Sequence, residues 1–152
     1  MKRRALTVVA LAVVVAVAVY SLASGGNGDV VQPALVVGST HVSPASAVTL
    51  RFRAAAGSGR QGALLVDYTL NVAGPVRSGC IGAHSEALPV ARKGAEVSVK
   101  LAPATLGGSW CAGAFTARVV ETERPYCSPG TMCPQFIRLL GTVAQTSFRV
   151  AG

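Results

Sequence analysis

Few side chains in these 152 residues could do chemistry: four cysteines, two histidines and six carboxylates. His41 and His84 stand apart from each other. Neither has a cysteine or carboxylate at ligand spacing, whereas a zinc site takes three or four ligands. His41 lies beside Ser43, but no nucleophile-elbow motif accompanies the pair, so no Ser-His-Asp set is legible. Both histidines read as surface or edge-strand residues. Cys127 and Cys133 enclose Ser-Pro-Gly-Thr-Met, which is the wrong spacing for a Cys-x-x-Cys redox pair. Two soft ligands with Met132 make too thin a set for copper or zinc. Asp67, Glu86 and Glu96 are isolated. Glu121 and Glu123 precede a long loop, and nothing matches a calcium-binding loop. The sequence therefore predicts no catalytic residue, no metal site and no cofactor.

The cysteines read differently once the N-terminus is considered. Lys2, Arg3 and Arg4 precede an apolar run, Ala5 to Val19, that holds no charge and a single polar residue, Thr7, and Ser21-Leu22-Ala23 supplies small residues after it. This order is that of a secretory signal peptide over residues 1–23, cleaved after Ala23. The alternative is an uncleaved anchor, because Ala5 to Ala23 is 19 residues and about 20 cross a bilayer. Either form exports the remainder. An exported chain with an even cysteine count implies disulfides.

The elements that must hold these residues are strands. Residues 24–34 form a Gly-rich spacer. Extended runs follow at Leu35–Val42, Val48–Ala54, Ala63–Ala73, Ile81–Leu88, Glu96–Leu101, Trp110–Thr122 and Arg138–Val150. Val48, Leu50, Phe52 and Ala54 alternate with Thr49, Arg51 and Arg53, as a half-buried antiparallel strand requires. Leu64, Val66, Tyr68, Leu70 and Val72 alternate in the same way. In the central Trp110 strand, Cys111, Gly113, Phe115, Ala117 and Val119 share one face. Gly57–Gly62 reads as a loop. No helical period appears after the N-terminal run. The expected fold over residues 35–152 is all-β: an immunoglobulin-like β-sandwich of about seven antiparallel strands, A to G.

In that fold the end of strand C meets the start of strand F. This places Cys80 against Cys111 and leaves Cys127 for Cys133. Trp110 then packs on the first bridge.

Four segments carry a family resemblance: Trp110-Cys111-Ala112-Gly113, Arg124-Pro125-Tyr126-Cys127, Cys133-Pro134 and Ser147-Phe148-Arg149-Val150. They resemble a group of exported proteins of actinobacterial type, with a Trp-Cys-x-Gly strand, a small cysteine loop and a C-terminal Phe-x-Val strand. The resemblance spans roughly residues 35–152. It implies an immunoglobulin-like fold and carries over no catalytic residue, because none is established for the group.

Charged residues make up 13% of the chain, against roughly 25% in ordinary soluble domains. Removing residues 1–23 takes three of the 14 basic residues and none of the six acidic ones, which leaves +5. That charge suits weak contact with anionic envelope polymers. Scattered arginines, export and the lack of a motif argue against nucleic acid. The end that could bind something is where the B–C and F–G loops emerge together. There Arg60 on Gly57–Gly62 joins Arg124, Tyr126, Met132 and Phe136. The expected function is an exported, non-enzymatic binding or structural module contacting a cell-envelope polymer or protein, with membrane contact only through residues 1–23 if these are retained. The alternative is a secreted hydrolase-like enzyme. It would need a pocket bringing His41 or His84 to a carboxylate and a serine.

Overall fold

The computed structural model describes residues 31–132 and 136–152. Among the described residues nine strands run in order: β1 (Ala34–Val37), β2 (His41–Val42), β3 (Val48–Arg53), β4 (Gly59–Gln61), β5 (Leu64–Ala73), β6 (Ala83–Leu88), β7 (Glu96–Leu101), β8 (Gly113–Pro125) and β9 (Arg138–Val150). One sheet has the order β1-β3-β7. The other has the order β2-β9-β8-β5-β4, with β6 also on β5 beyond β4.

Alternation dictates the core. Val48, Leu50, Phe52 and Leu101 from the first sheet are buried. So are Val66, Tyr68, Leu70, Val72, Phe115, Ala117, Val119, Phe148 and Val150 from the second, in one shared cluster. The Phe52 and Tyr68 rings meet between the sheets at 5.4 Å. The Trp110 ring stands edge-on to Phe115 at 5.6 Å, and Phe115 stacks on Phe148 at 5.1 Å. Such geometries add to the burial these rings already provide.

Three sequence expectations change in detail. Leu35–Val42 is not one strand. It breaks after Val37, and β2 crosses to the second sheet to run parallel to β9 at Arg149 and Val150. Gly57–Gly62 is not only loop, because Gly59–Gln61 forms β4 against Leu64–Val66. The central strand starts at Gly113 rather than Trp110 and runs on to Pro125. Trp110 and Cys111 are consecutive and both buried, so they do not alternate. Gly113, at φ 137°, redirects the chain between them and the strand. Trp110 is fixed by its own bonds: its backbone N–H donates to Pro44 O at 2.9 Å and its indole N–H to Ser46 O at 3.1 Å.

Cys80 and Cys111 form a disulfide, with Cα atoms 5.0 Å apart. It sits where β5 ends and β8 begins, the meeting point expected. Cys127 is also disulfide-bonded; Cys133, its expected partner, lies outside the described residues. The apolar run Ala5–Val19 lies outside them as well. Among the described residues no helix is long and apolar enough to cross a membrane.

The register defines two ends. β3 ends at Arg53, opposite Ala34 and Glu96. β5 begins at Leu64, opposite Pro125. The chain entry, the β3–β4 turn, the β6–β7 turn and the β8–β9 connection therefore share one end. The disulfide and the C-terminus lie at the other.

Candidate functional site

β4 and the last residues of β8 flank the start of β5, so Arg60, Leu65 and Arg124 fall in one cross-strand row. Tyr126 continues that face past β8. Its backbone N–H donates to Ala63 O at 2.9 Å, which holds it against the β4–β5 turn. The Arg60 guanidinium carbon then lies 4.1 Å from the Tyr126 ring centroid, a cation–π stack. Arg60 Nε also donates to Gly62 O at 3.0 Å. Arg124 Nε donates to Asp67 Oδ2 at 3.2 Å. Both partners are about half exposed, so that pair positions more than it stabilises. Three of the five residues singled out by sequence thus form one contiguous surface.

Met132 and Phe136 sit on the β8–β9 connection at the same end, and both are exposed. Sequence reasoning missed their neighbours. Ile137 is 73% exposed and Leu139 67%, and Leu140 is exposed as well. Here β9 carries two irregularities: Val143 and Leu140 are extra residues opposite β8, and Gly141 has φ 111°. Each extra residue shifts which face the following side chains take. Phe136-Ile137-Arg138-Leu139-Leu140, with apolar residues at both parities, was the available signal.

Sequence reasoning also missed a second grouping. The β3–β4 and β6–β7 turns enclose an open hollow to which Arg60, Arg92 and Lys93 contribute, and no carboxylate lines it. The turns are tied there by Ser58 N–H to Val90 O at 2.8 Å and Gly94 N–H to Ala54 O at 3.0 Å.

The remaining titratable groups are dispersed. The Thr40 hydroxyl and His41 Nδ1 lie 3.2 Å apart on the surface. His84 does have a carboxylate neighbour, contrary to the sequence reading: its Nε2 lies 3.3 Å from Glu86 Oε2. Residues two apart on a strand share a face, and that spacing was overlooked. The intervening Ser85 turns away to donate to Asn71 Oδ1 at 2.9 Å. A shallow hollow between β4 and β6 is lined by Ser58, Asp67, Tyr68 and Leu88, and by neither histidine. Among the described residues no group of three or more His, Cys, Asp or Glu is placed to hold a metal.

One electrostatic feature lies where the core opens toward this end. Tyr68 and Glu121 are cross-strand partners. The Tyr68 hydroxyl is buried without a hydrogen bond; the Ala56 backbone and the Glu121 carboxylate influence it from outside bonding geometry. Burial, then the Glu121 charge, push the Tyr68 pKa up. Burial, then the Glu123 charge, push the Glu121 carboxyl up, and the Tyr68 hydroxyl partly offsets them.

No protein-family model matches the chain, and no curated protein matches it.

Proposed function

We propose that the protein is an exported, non-enzymatic module of the cell envelope. In this reading it binds a partner through the end where β4, β8 and the β8–β9 connection converge. The fold reading beneath it is an immunoglobulin-like sandwich. Sheets ordered β1-β3-β7 and β2-β9-β8-β5 correspond to strands A-B-E and A′-G-F-C, with β6 as C′. A disulfide between Cys80 and Cys111 supports an oxidising, extracytoplasmic setting. Export through residues 1–23, and kinship with the actinobacterial-type group, belong to the same proposal.

The observation that carries the reading is the Arg60–Tyr126 stack at the same end as exposed Met132 and Phe136. Aromatic and arginine side chains dominate binding hot spots. Here Tyr126 is held by its backbone bond to Ala63, which lowers the ordering cost of presenting it. Arg60→Ala, Arg124→Ala and Tyr126→Ala, combined in a chain whose fold is checked by circular dichroism, should weaken binding to isolated cell envelope about tenfold or more. Unchanged binding by that folded variant, with loss on replacing Arg51 and Arg53 instead, would move the site to the face of the first sheet.

A further inference from the structure

Exposed apolar side chains, a carboxylate-free cationic hollow and the entry of the chain all occupy one end of the molecule. Met132, Phe136, Ile137, Leu139 and Leu140 stand exposed along the β8–β9 hairpin. Monomeric soluble domains rarely expose so many large apolar groups contiguously without a partner. At the same end, Arg60, Arg92 and Lys93 line the hollow between the two turns. Two of the carboxylates toward this end are paired: Asp67 with Arg124 at 3.2 Å and Glu96 with Arg51 at 4.0 Å. Glu121 and Glu123 stay on β8, facing Gly141 and Arg138 across the hairpin.

What covers this end is indicated by where the chain comes in. Val31 lies against the β6–β7 turn, its side chain 3.5 Å from the position a Cβ on Gly94 would take. Ala34 then begins β1 at that same end. The apolar run Ala5–Val19 closes only twelve positions before Val31. Twelve residues span at most about 40 Å when fully extended. When the run is inserted in a bilayer, that tether keeps the entry end within about 40 Å of the lipid. Apolar groups for the acyl boundary, with arginine and lysine for anionic headgroups, form the composition of an interfacial membrane contact.

We infer that this end docks on the anionic membrane surface into which the N-terminal run inserts. Ile137, Leu139 and Leu140 enter the interface, and Arg60, Arg92 and Lys93 take lipid phosphate. This rests on the binding end proposed above, in the form of the chain that keeps residues 1–23 as an uncleaved anchor, and names its partner.

The test uses the full chain reconstituted in vesicles of mixed phosphatidylglycerol and phosphatidylcholine. A diazirine-bearing leucine analogue replaces Leu139 in one preparation and Val76 in another. Val76 is 93% exposed and lies at the opposite end, in the β5–β6 connection. Irradiation should yield several-fold more lipid adducts from position 139 than from position 76. Arg92→Ala with Lys93→Ala should lower the position-139 yield toward that in pure phosphatidylcholine vesicles. Equal labelling from both positions would overturn the inference. So would position-139 adducts that fall on residues 1–30 or on a second copy of the chain. If lipid labelling fails in this way while the Arg60/Arg124/Tyr126 variant still loses envelope binding, the binding end stands and only the membrane assignment falls.

Discussion

Breaking the Cys80–Cys111 bridge is the sharpest perturbation of this fold. The cysteines are 31 residues apart. In the loop-entropy account, a cross-link over that distance removes roughly 12 cal/mol/K from the unfolded chain, about 3.7 kcal/mol at 25 °C. For a domain of this length that corresponds to a drop in melting temperature of about 15 °C. Cys111 is 1% exposed, whereas Cys80 is only partly buried. That asymmetry separates two causes. If the stabilisation comes from the cross-link, Cys80→Ala, Cys111→Ala and the double variant lose the same amount, because each abolishes the same closure. If it comes from packing of the sulfur, Cys111→Ala costs much more than Cys80→Ala. Urea unfolding followed by Trp110 fluorescence gives both the midpoint and the slope. The slope should rise in all three variants, since the unreduced unfolded chain exposes less surface than the open one. A near-silent Cys80→Ala, or a double variant losing under about 1 kcal/mol, would refute the entropic account for this bridge.

Two further outcomes are expected. Gly113→Ala should cost about 2–4 kcal/mol in urea unfolding, because its φ is 137° and the new Cβ would lie 2.6 Å from Pro75 Cγ. Glu121→Gln should raise the melting temperature at pH 7. The folded chain raises the Glu121 pKa, so the unfolded chain ionises first as pH climbs, and that difference is lost from stability by neutral pH. The gain over wild type should vanish below about pH 4, where the carboxyl is protonated in both states.

Much of this arrangement was legible because alternation and burial coincide in the middle of the sheets. Val48 to Arg53 and Leu64 to Val72 read as half-buried strands and are. The pairing of β5 with β8 followed from that reading, and with it the Cys80–Cys111 bridge. The failures fall where tertiary context decides. Trp110 to Gly113 mimics alternation, yet Trp110 and Cys111 are both buried by a bend that only Gly113 betrays. Gly38 to Thr40 is a weak breaker, and the switch of β2 to the other sheet depends on a parallel partner far away in sequence. At the proposed binding end, the juxtaposition of Arg60, Arg124 and Tyr126 was legible because loop order places them together. Ile137, Leu139 and Leu140 were not, because an apolar residue in a strand reads as inward. Nothing local reveals the two extra residues of β9, Leu140 and Val143, that break its alternation against β8. Arg92 and Lys93 gain their setting only from the β3–β4 turn, which lies far from them in sequence.

The chain enters the fold at one end through β1 and leaves it at the other through β9, and that separation sets how the molecule bears tension. A pull between those ends draws β2 against β9 along the strand direction. Arg149 N–H to Thr40 O, 2.8 Å, and Ala151 N–H to Val42 O, 2.9 Å, are then loaded together in shear. The four-residue register of β1 on β3 is loaded along its length as well, rather than peeled one rung at a time. Sharing the load across several bonds slows forced opening, which depends on the unfolding rate. Beyond β8's first residues the Cys80–Cys111 link takes the strain covalently, so a stretched chain would yield at its N-terminal strands and keep the segment between the cysteines closed.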